Sequence, residues 1–345
     1  MPRGHTLDVV LEAHQFFPIT QALIVEQRTN RPRWKRLALH IASAAALALA
    51  AVVWGRQLDA SQLWLTLTRA RVFPLAAAAT GAFVCIAWKA GFWRLALSPL
   101  RVIPLRELFR FGVAAEVGSI LAPGRAGEAL RVWILRRRYG LPLSALLTAA
   151  GLEKLADVST LVLLAAPMAW LVPALPTAVR PWLLGFSAVP IAAALGIVFL
   201  RGHSRLRELP ALAGLRLFDT PRPLLLALGC VVIAWLFDLA CAQLVLSAVG
   251  TDATIARAIL VLLLTNLAII VPLMPGNVGA HELASAFALK LMGVDAETAT
   301  AFALLFHAVR TIPVLILGFP ATRRLVVSLG DESASQGATL SSQAP

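Results

Sequence analysis

Residues 37–54, LALHIASAAALALAAVVW, and 182–200, WLLGFSAVPIAAALGIVFL, contain no Asp, Glu, Lys or Arg. A run of this length without a charge is close to what a helix needs to cross the hydrocarbon core, about 20 residues. Inside a bilayer only helices and closed barrels satisfy their backbone polar groups. Four more apolar stretches are candidate spans, at 72–88, 144–172, 224–249 and 298–319, and the last three each contain charges. Charged residues make up 14% of the chain, against about a quarter in soluble domains. The chain therefore reads as an all-α polytopic membrane protein with about six full spans.

Two shorter apolar pieces resist this reading. Residues 111–123 (FGVAAEVGSILAP) end in Pro-Gly and hold Glu116, and an arginine-rich loop follows. If that piece crossed, the loop would lie outside, against the excess of Lys and Arg expected in cytoplasmic segments. The spacing predicts a re-entrant helix–turn–helix over 106–138, and a second, by analogy, over 255–292, where 258–274 is also long enough to cross alone. Broken backbone at membrane depth is tolerated where it is buried in protein or lines a wet cavity. With this topology and both termini cytoplasmic, 23 Lys and Arg fall in cytoplasmic segments and 6 in external ones. The net charge of +13 then reflects an anionic membrane neighbour rather than nucleic acid.

An offset of 152 residues aligns Pro123-Gly124 with Pro275-Gly276 and Gly127 with Gly279. The same offset aligns 72–97 with 224–249, 106–122 with 258–274, and 146–167 with 298–319. The expected architecture is an inverted repeat, repeat 1 at about 72–172 and repeat 2 at about 224–320. Secondary transporters place substrate sites where such broken helices meet. A basic segment (1–36) precedes this 37–320 domain, and a disordered polar tail (321–345) follows it.

Charges at bilayer depth mark function by default, and three clusters qualify. In PGRAGEALR, glycines Gly124 and Gly127 allow close backbone approach, while Arg125 and Arg131 can hold a phosphate bidentately. Glu128 either shares that role or pairs with Arg131 three residues on. In GLEKLADVSTL, Glu153 and Asp157 lie four apart on one helix face with Lys154 offset. Two such carboxylates want a cation, a headgroup amine, a shared proton or arginines from neighbouring helices. In MPGNVGAHE, Gly276, Asn277 and Gly279 form a turn before His281 and Glu282. Arg310 in the last span falls level with Asp157 under the repeat, which predicts an ion pair between Arg310 and the Glu153/Asp157 face. His307 and Asp238 read as packed, hydrogen-bonded residues, with Asp238 an alternative partner for Lys89. Cys85, Cys230 and Cys241 sit in apolar segments, so packing is expected rather than disulfides or metal. No catalytic or cofactor signature occurs, and no cofactor is expected.

In order, PGRAGEALR, EKLADVSTLVLL, PLMPGNVGAHELA and LLFHAVRTIPVLILG resemble the marks of the lysylphosphatidylglycerol synthase transmembrane region, or flippase-like domain family. The resemblance spans about 35–325. It implies a multi-pass, bacterial-type inner-membrane protein that moves or handles lipids. The residues it marks are Pro123, Gly124, Arg125, Gly127, Glu128, Arg131, Glu153, Asp157, Pro275, Gly276, Gly279, Glu282 and Arg310. Asn277 stands where the family usually has Gly, and Lys154 where Arg is common. In the namesake enzymes a soluble aminoacyl-transferase domain follows; here the spans use nearly the whole length, so lysyl transfer is not implied. The expected function is binding and translocation of an amphiphilic phospholipid, glycolipid or hopanoid. The alternatives are a membrane-embedded transferase using Glu128, Glu282 or His281 as base, and a scaffold for a lipid-synthesis enzyme.

Overall fold

A computed structural model describes residues 48–122, 126–168, 221–269 and 275–341, with a few isolated positions elsewhere; side chains are described to Leu329. Span 182–200, most of 37–47 and the residues Pro123, Gly124 and Arg125 lie outside the described residues. All regular structure among the described residues is helical.

The longer helices follow the apolar runs. Helix α1 (Ala60–Arg69) is capped by Asp59, whose carboxylate accepts from the Ser61 and Gln62 amides. Helix α2 (Val72–Leu97) is the first long apolar helix. Helices α3 (Leu105–Leu121) and α4 (Ala126–Tyr139) pack as a hairpin around the Pro-Gly break. Helix α5 (Leu143–Ala165) is long enough to cross, yet it carries Glu153, Lys154 and Asp157. Helix α6 (Pro221–Ala248) is the second long apolar helix. Helices α7 (Ile255–Ala268) and α8 (Ala280–Leu291) form a second hairpin around a 3₁₀ turn, Pro275–Asn277. Helix α9 (Ala296–Ser341) is apolar and long enough to cross over Ala296–Leu329.

Helices α2, α6 and α9 are thus the described elements that combine spanning length with a largely uncharged sequence. The hairpin helices are short. At 1.5 Å per residue α4 and α7 reach only about 21 Å, against a core of about 30 Å. The expected boundary at residue 320 is passed: Leu325 and Leu329 of α9 are buried in the main core, so folded structure extends beyond it. Their burial is the physical reason, because ATRRLVVSL still presents an apolar stripe one turn apart.

The element order repeats. A long helix, a short hairpin and a long helix occur twice, and α4 and α8 end at Tyr139 and Leu291, 152 residues apart. The two leading helices, α2 and α6, pack against each other more extensively than any other pair. Arg71 bonds the Ser247 carbonyl, Cys241 bonds the Ala78 carbonyl, Cys85 bonds the Ala234 carbonyl, and Gly91 abuts Cys230. Numbers fall along one helix as they rise along the other, so the pair is antiparallel. Exchanging the repeats maps the Cys85–Asp238 contact onto positions 86 and 237, almost onto itself. A local twofold therefore runs through this crossing.

The seam is built from small residues. A Cβ on Gly81 would lie 2.5 Å from Cys241 Sγ, and one on Gly91 3.3 Å from Cys230 Sγ. Ala78, Ala82, Ala90, Ala227, Ala234 and Ala242 are buried here or nearby. Small residues bring backbones together where no hydrophobic force favours one apolar surface over lipid. The three cysteines are free and buried; they fill this seam, which is the packing role expected of them. Phe73, Leu163, Leu225, Ile316 and Leu317 are exposed, as outward apolar surface facing lipid requires.

Candidate functional site

The first hairpin is held by glycine. A Cβ on Gly127 would sit 1.9 Å from the Ala115 carbonyl oxygen and 2.2 Å from Ser119 Oγ, and one on Gly118 3.1 Å from Gly127 Cα. The helices touch backbone to backbone just after the break.

In the second hairpin the turn is left-handed. Gly276 has φ 62°, Asn277 φ 56° and Gly279 φ 85°. Glycine adopts this region freely, and Asn tolerates it best among the other residues. That accounts for Asn at a position where Gly is usual. Glu282 then reaches back, accepting the Gly279 N–H at 2.7 Å and satisfying an orphan donor of the α8 N-terminus. A Cβ on Gly276 would lie 3.3 Å from the Ile120 carbonyl oxygen, so the second turn rests against the end of α3, beside the first break. Asn277→Gly should leave thermal stability within about 0.5 kcal/mol. Asn277→Val should lower it by about 1–2 kcal/mol, the cost of holding a branched residue at positive φ. Denaturation in detergent of both variants reads the difference.

A cavity of about 920 Å³ opens where the elements meet. Both repeats line it, with Glu128, Arg131, Glu153, Lys154 and Asp157 from one and Asp238, Asn277, His281, His307 and Arg310 from the other. Glu116 and Lys89 also face it. Gly127, Gly279 and Glu282 support the walls rather than lining them. No cluster with metal-ligand composition occurs among the described residues.

The charges are paired, and the partners differ from the sequence expectation in three places. Arg310 binds Asp238, Nη1 to Oδ1 at 2.7 Å, and not the Glu153/Asp157 face. Lys89 binds Asp157 at 3.2 Å, not Asp238. Glu128 accepts from Lys154 at 2.8 Å, and Arg131 pairs with Glu153 at 3.3 Å instead of with Glu128. The reason is register between helices. Along a single helix Glu128 and Arg131 are neighbours, but α5 lies against α4 and offers each a partner of opposite sign. Each carboxylate of the (i, i+4) couple thus has its own cation, which removes the repulsion. Lys154 also lies 3.8 Å from Asp157.

Two tryptophans complete the acids. Trp93 Nε1 donates to Glu153 at 3.0 Å, and Trp235 Nε1 to Asp157 at 2.9 Å. Arg131 stacks over Trp93 at 5.0 Å. The available signal was that a buried indole N–H needs an acceptor. His307 Nδ1 contacts Glu282 Oε1 at 2.5 Å, and His281 stacks on His307 with ring centroids 4.5 Å apart. His307 is packed and bonded, as expected; Asp238 is bonded too, to a charged partner. Arg131 Nε and His281 Nδ1 are buried without a hydrogen-bond partner among the described residues.

The pairs obey the repeat with reversed sign. Lys89–Asp157 joins α2 to α5, and its counterpart Asp238–Arg310 joins α6 to α9. Arg131–Glu153 joins α4 to α5, and Glu282–His307 joins α8 to α9. Subtracting 152 from 238, 310, 282 and 307 gives 86, 158, 130 and 155, each within three residues of its counterpart. In these two pairs Lys89 and Arg131 stand where repeat 2 has the acids Asp238 and Glu282; Glu128–Lys154 has no counterpart, since 152 residues on stand Ala280 and Phe306.

A curated relative, "Glycosyltransferase AglD" of Haloferax volcanii, is 24% identical over 367 residues, covering 88% of this chain and 57% of the relative. The chain thus spans little more than half the length of that protein. The family model described as "Lysylphosphatidylglycerol synthase TM region" matches residues 38–318. That range holds both hairpins and every paired charge of the cavity, and the chain belongs to the lysylphosphatidylglycerol synthase transmembrane-region family.

Proposed function

We propose that this chain binds the polar headgroup of an amphiphilic lipid in the cavity between the two repeats and carries it across the bilayer. The observation that carries this reading is the cavity itself: about 920 Å³, lined by paired charges from both repeats in an otherwise apolar helical body. Intramembrane charges of this kind are costly and face substrate paths. In the proposed topology both hairpins are re-entrant, the repeats are inverted, and the termini are cytoplasmic in a bacterial-type inner membrane. Lipid tails remain in hydrocarbon while the headgroup passes between the hairpin turns. Arg125 and Arg131 on one side, with Asn277 and Arg310 on the other, contact its polar groups; Glu128, Glu153, Asp157, His281 and Glu282 couple occupancy to helix position. The chain acts without a cofactor and without being an enzyme.

The glycosyltransferase-named relative favours a second reading, a membrane-embedded transferase acting on a lipid headgroup. One experiment separates the two. Purified protein is placed in liposomes carrying fluorescent phospholipid, glycolipid and hopanoid probes, and the fraction of probe accessible from outside is followed over time. Translocation predicts accessibility of at least one probe that Arg125→Ala and Glu282→Ala each slow by about tenfold, the loss of about 1.4 kcal/mol from the rate-limiting state. Chemically altered lipid by mass spectrometry, with unchanged leaflet distribution, would overturn translocation in favour of the transferase.

A further inference from the structure

The cavity lining has a property that constrains what can enter it. Every described cation in it is already matched to a carboxylate: Lys89 to Asp157, Arg131 to Glu153, Lys154 to Glu128 and Arg310 to Asp238. No free positive charge waits for an anion among the described residues. A charged headgroup that engages one of these side chains must take the place of its partner.

The sign of the ligand then decides the outcome. A net anionic headgroup that takes an arginine releases a half-buried carboxylate with nothing to compensate it. Leaving one member of a buried pair uncompensated is strongly unfavourable. A neutral polyhydroxyl headgroup compensates neither member. A headgroup carrying both an anionic and a cationic group can compensate both, exchanging one ion pair for two without stranding a charge.

Arg310–Asp238 is the pair with the geometry for this exchange. Arg310 presents two nitrogens to the Asp238 carboxylate, at 2.7 and 3.5 Å, and its side chain keeps 34% exposure toward the cavity. A guanidinium fork suits phosphate as well as carboxylate. Cys85 Sγ of the other repeat lies 3.4 Å from the same carboxylate, so Asp238 faces the other repeat as well as Arg310. We infer that the cavity selects a zwitterionic lipid headgroup, whose phosphate takes Arg310 while its ammonium takes Asp238. This deepens the lipid-binding reading above and rests on it.

Binding tests the inference separately from transport. Detergent-purified full-length protein is titrated with short-chain phosphatidylethanolamine, phosphatidylglycerol and a monoglucosyl diacylglycerol, and affinity is read from thermal stabilisation. Phosphatidylethanolamine is expected to bind at least about tenfold more tightly than either of the others. Arg310→Gln combined with Asp238→Asn removes both charges together and should abolish that preference while the protein stays folded. The exchanged pair, Arg310→Asp with Asp238→Arg, should keep the preference, because both signs remain. Equal or tighter binding of phosphatidylglycerol or the glucolipid would overturn the inference, as would an unaltered preference in the neutral double variant or no binding of any probe. The leaflet assay is read independently, so translocation of an anionic or neutral probe would sustain the lipid-carrying reading while this selectivity fails.

Discussion

Replacing Gly127 by alanine should cost this protein roughly 3 kcal/mol or more, the upper end of what overpacking a close contact costs. The added methyl carbon would lie 1.9 Å from the Ala115 carbonyl oxygen and 2.2 Å from Ser119 Oγ. Ser119 can rotate; the backbone carbonyl cannot. The hairpin α3–α4 would have to open just beyond its break, which moves Arg131 away from Glu153. A detergent melting series should show Gly127→Ala well below wild type. Gly151→Ala serves as control, since nothing lies within 4 Å of a Cβ there, and it should match wild type or exceed it slightly. A Gly127→Ala protein melting with wild type would mean that the two helices do not touch as described.

Glu153→Ala should be comparably damaging, by about 3–5 kcal/mol, because it strands a buried cation. Glu153 receives Arg131 and the Trp93 N–H, and its side chain retains 4% exposure. Without it, Arg131 sits over the Trp93 ring without its paired carboxylate, and the indole N–H loses its acceptor. Removing both charges with Arg131→Leu and Glu153→Leu should restore much of the loss, since a buried pair replaced by apolar groups is often tolerated. Wild type, Arg131→Leu, Glu153→Leu and the double variant form a double-mutant cycle. A coupling energy near zero would show that the pair does not form.

The sequence carried much of this scaffold. Apolar runs announced α2, α5, α6 and α9, Pro-Gly announced the breaks, and the 152-residue offset announced two copies of one element order. Those features are local or periodic, so spacing encodes them. The pairing of charges was not legible. Glu128 and Arg131 are perfectly spaced to pair on one helix, yet α5 supplies a better partner for each. Arg310 lies level with Asp157 in the repeat, yet its partner is Asp238 on the adjacent α6. Such choices depend on which faces two helices turn to each other. Trp93 and Trp235, which anchor the two acids of α5, sit in apolar runs where nothing in their spacing marks them as donors. Gly127 was legible as a point of close approach, but not what it approaches.

The ion pairs and the Glu282–His307 contact also divide the molecule mechanically. Lys89–Asp157, Arg131–Glu153 and Lys154–Glu128 lie wholly within the first repeat, and Asp238–Arg310 and Glu282–His307 wholly within the second. Across the α2–α6 seam the described contacts are alanine, glycine and cysteine packing, with Cys85 and, at one end, Arg71 donating across it to Asp238 or to backbone carbonyls, while Trp235 of α6 reaches Asp157 of α5. The seam is a bearing between two clamped halves. Displacing one half against the other along this seam breaks hydrogen bonds and apolar packing, but it separates no carboxylate from its paired lysine or arginine.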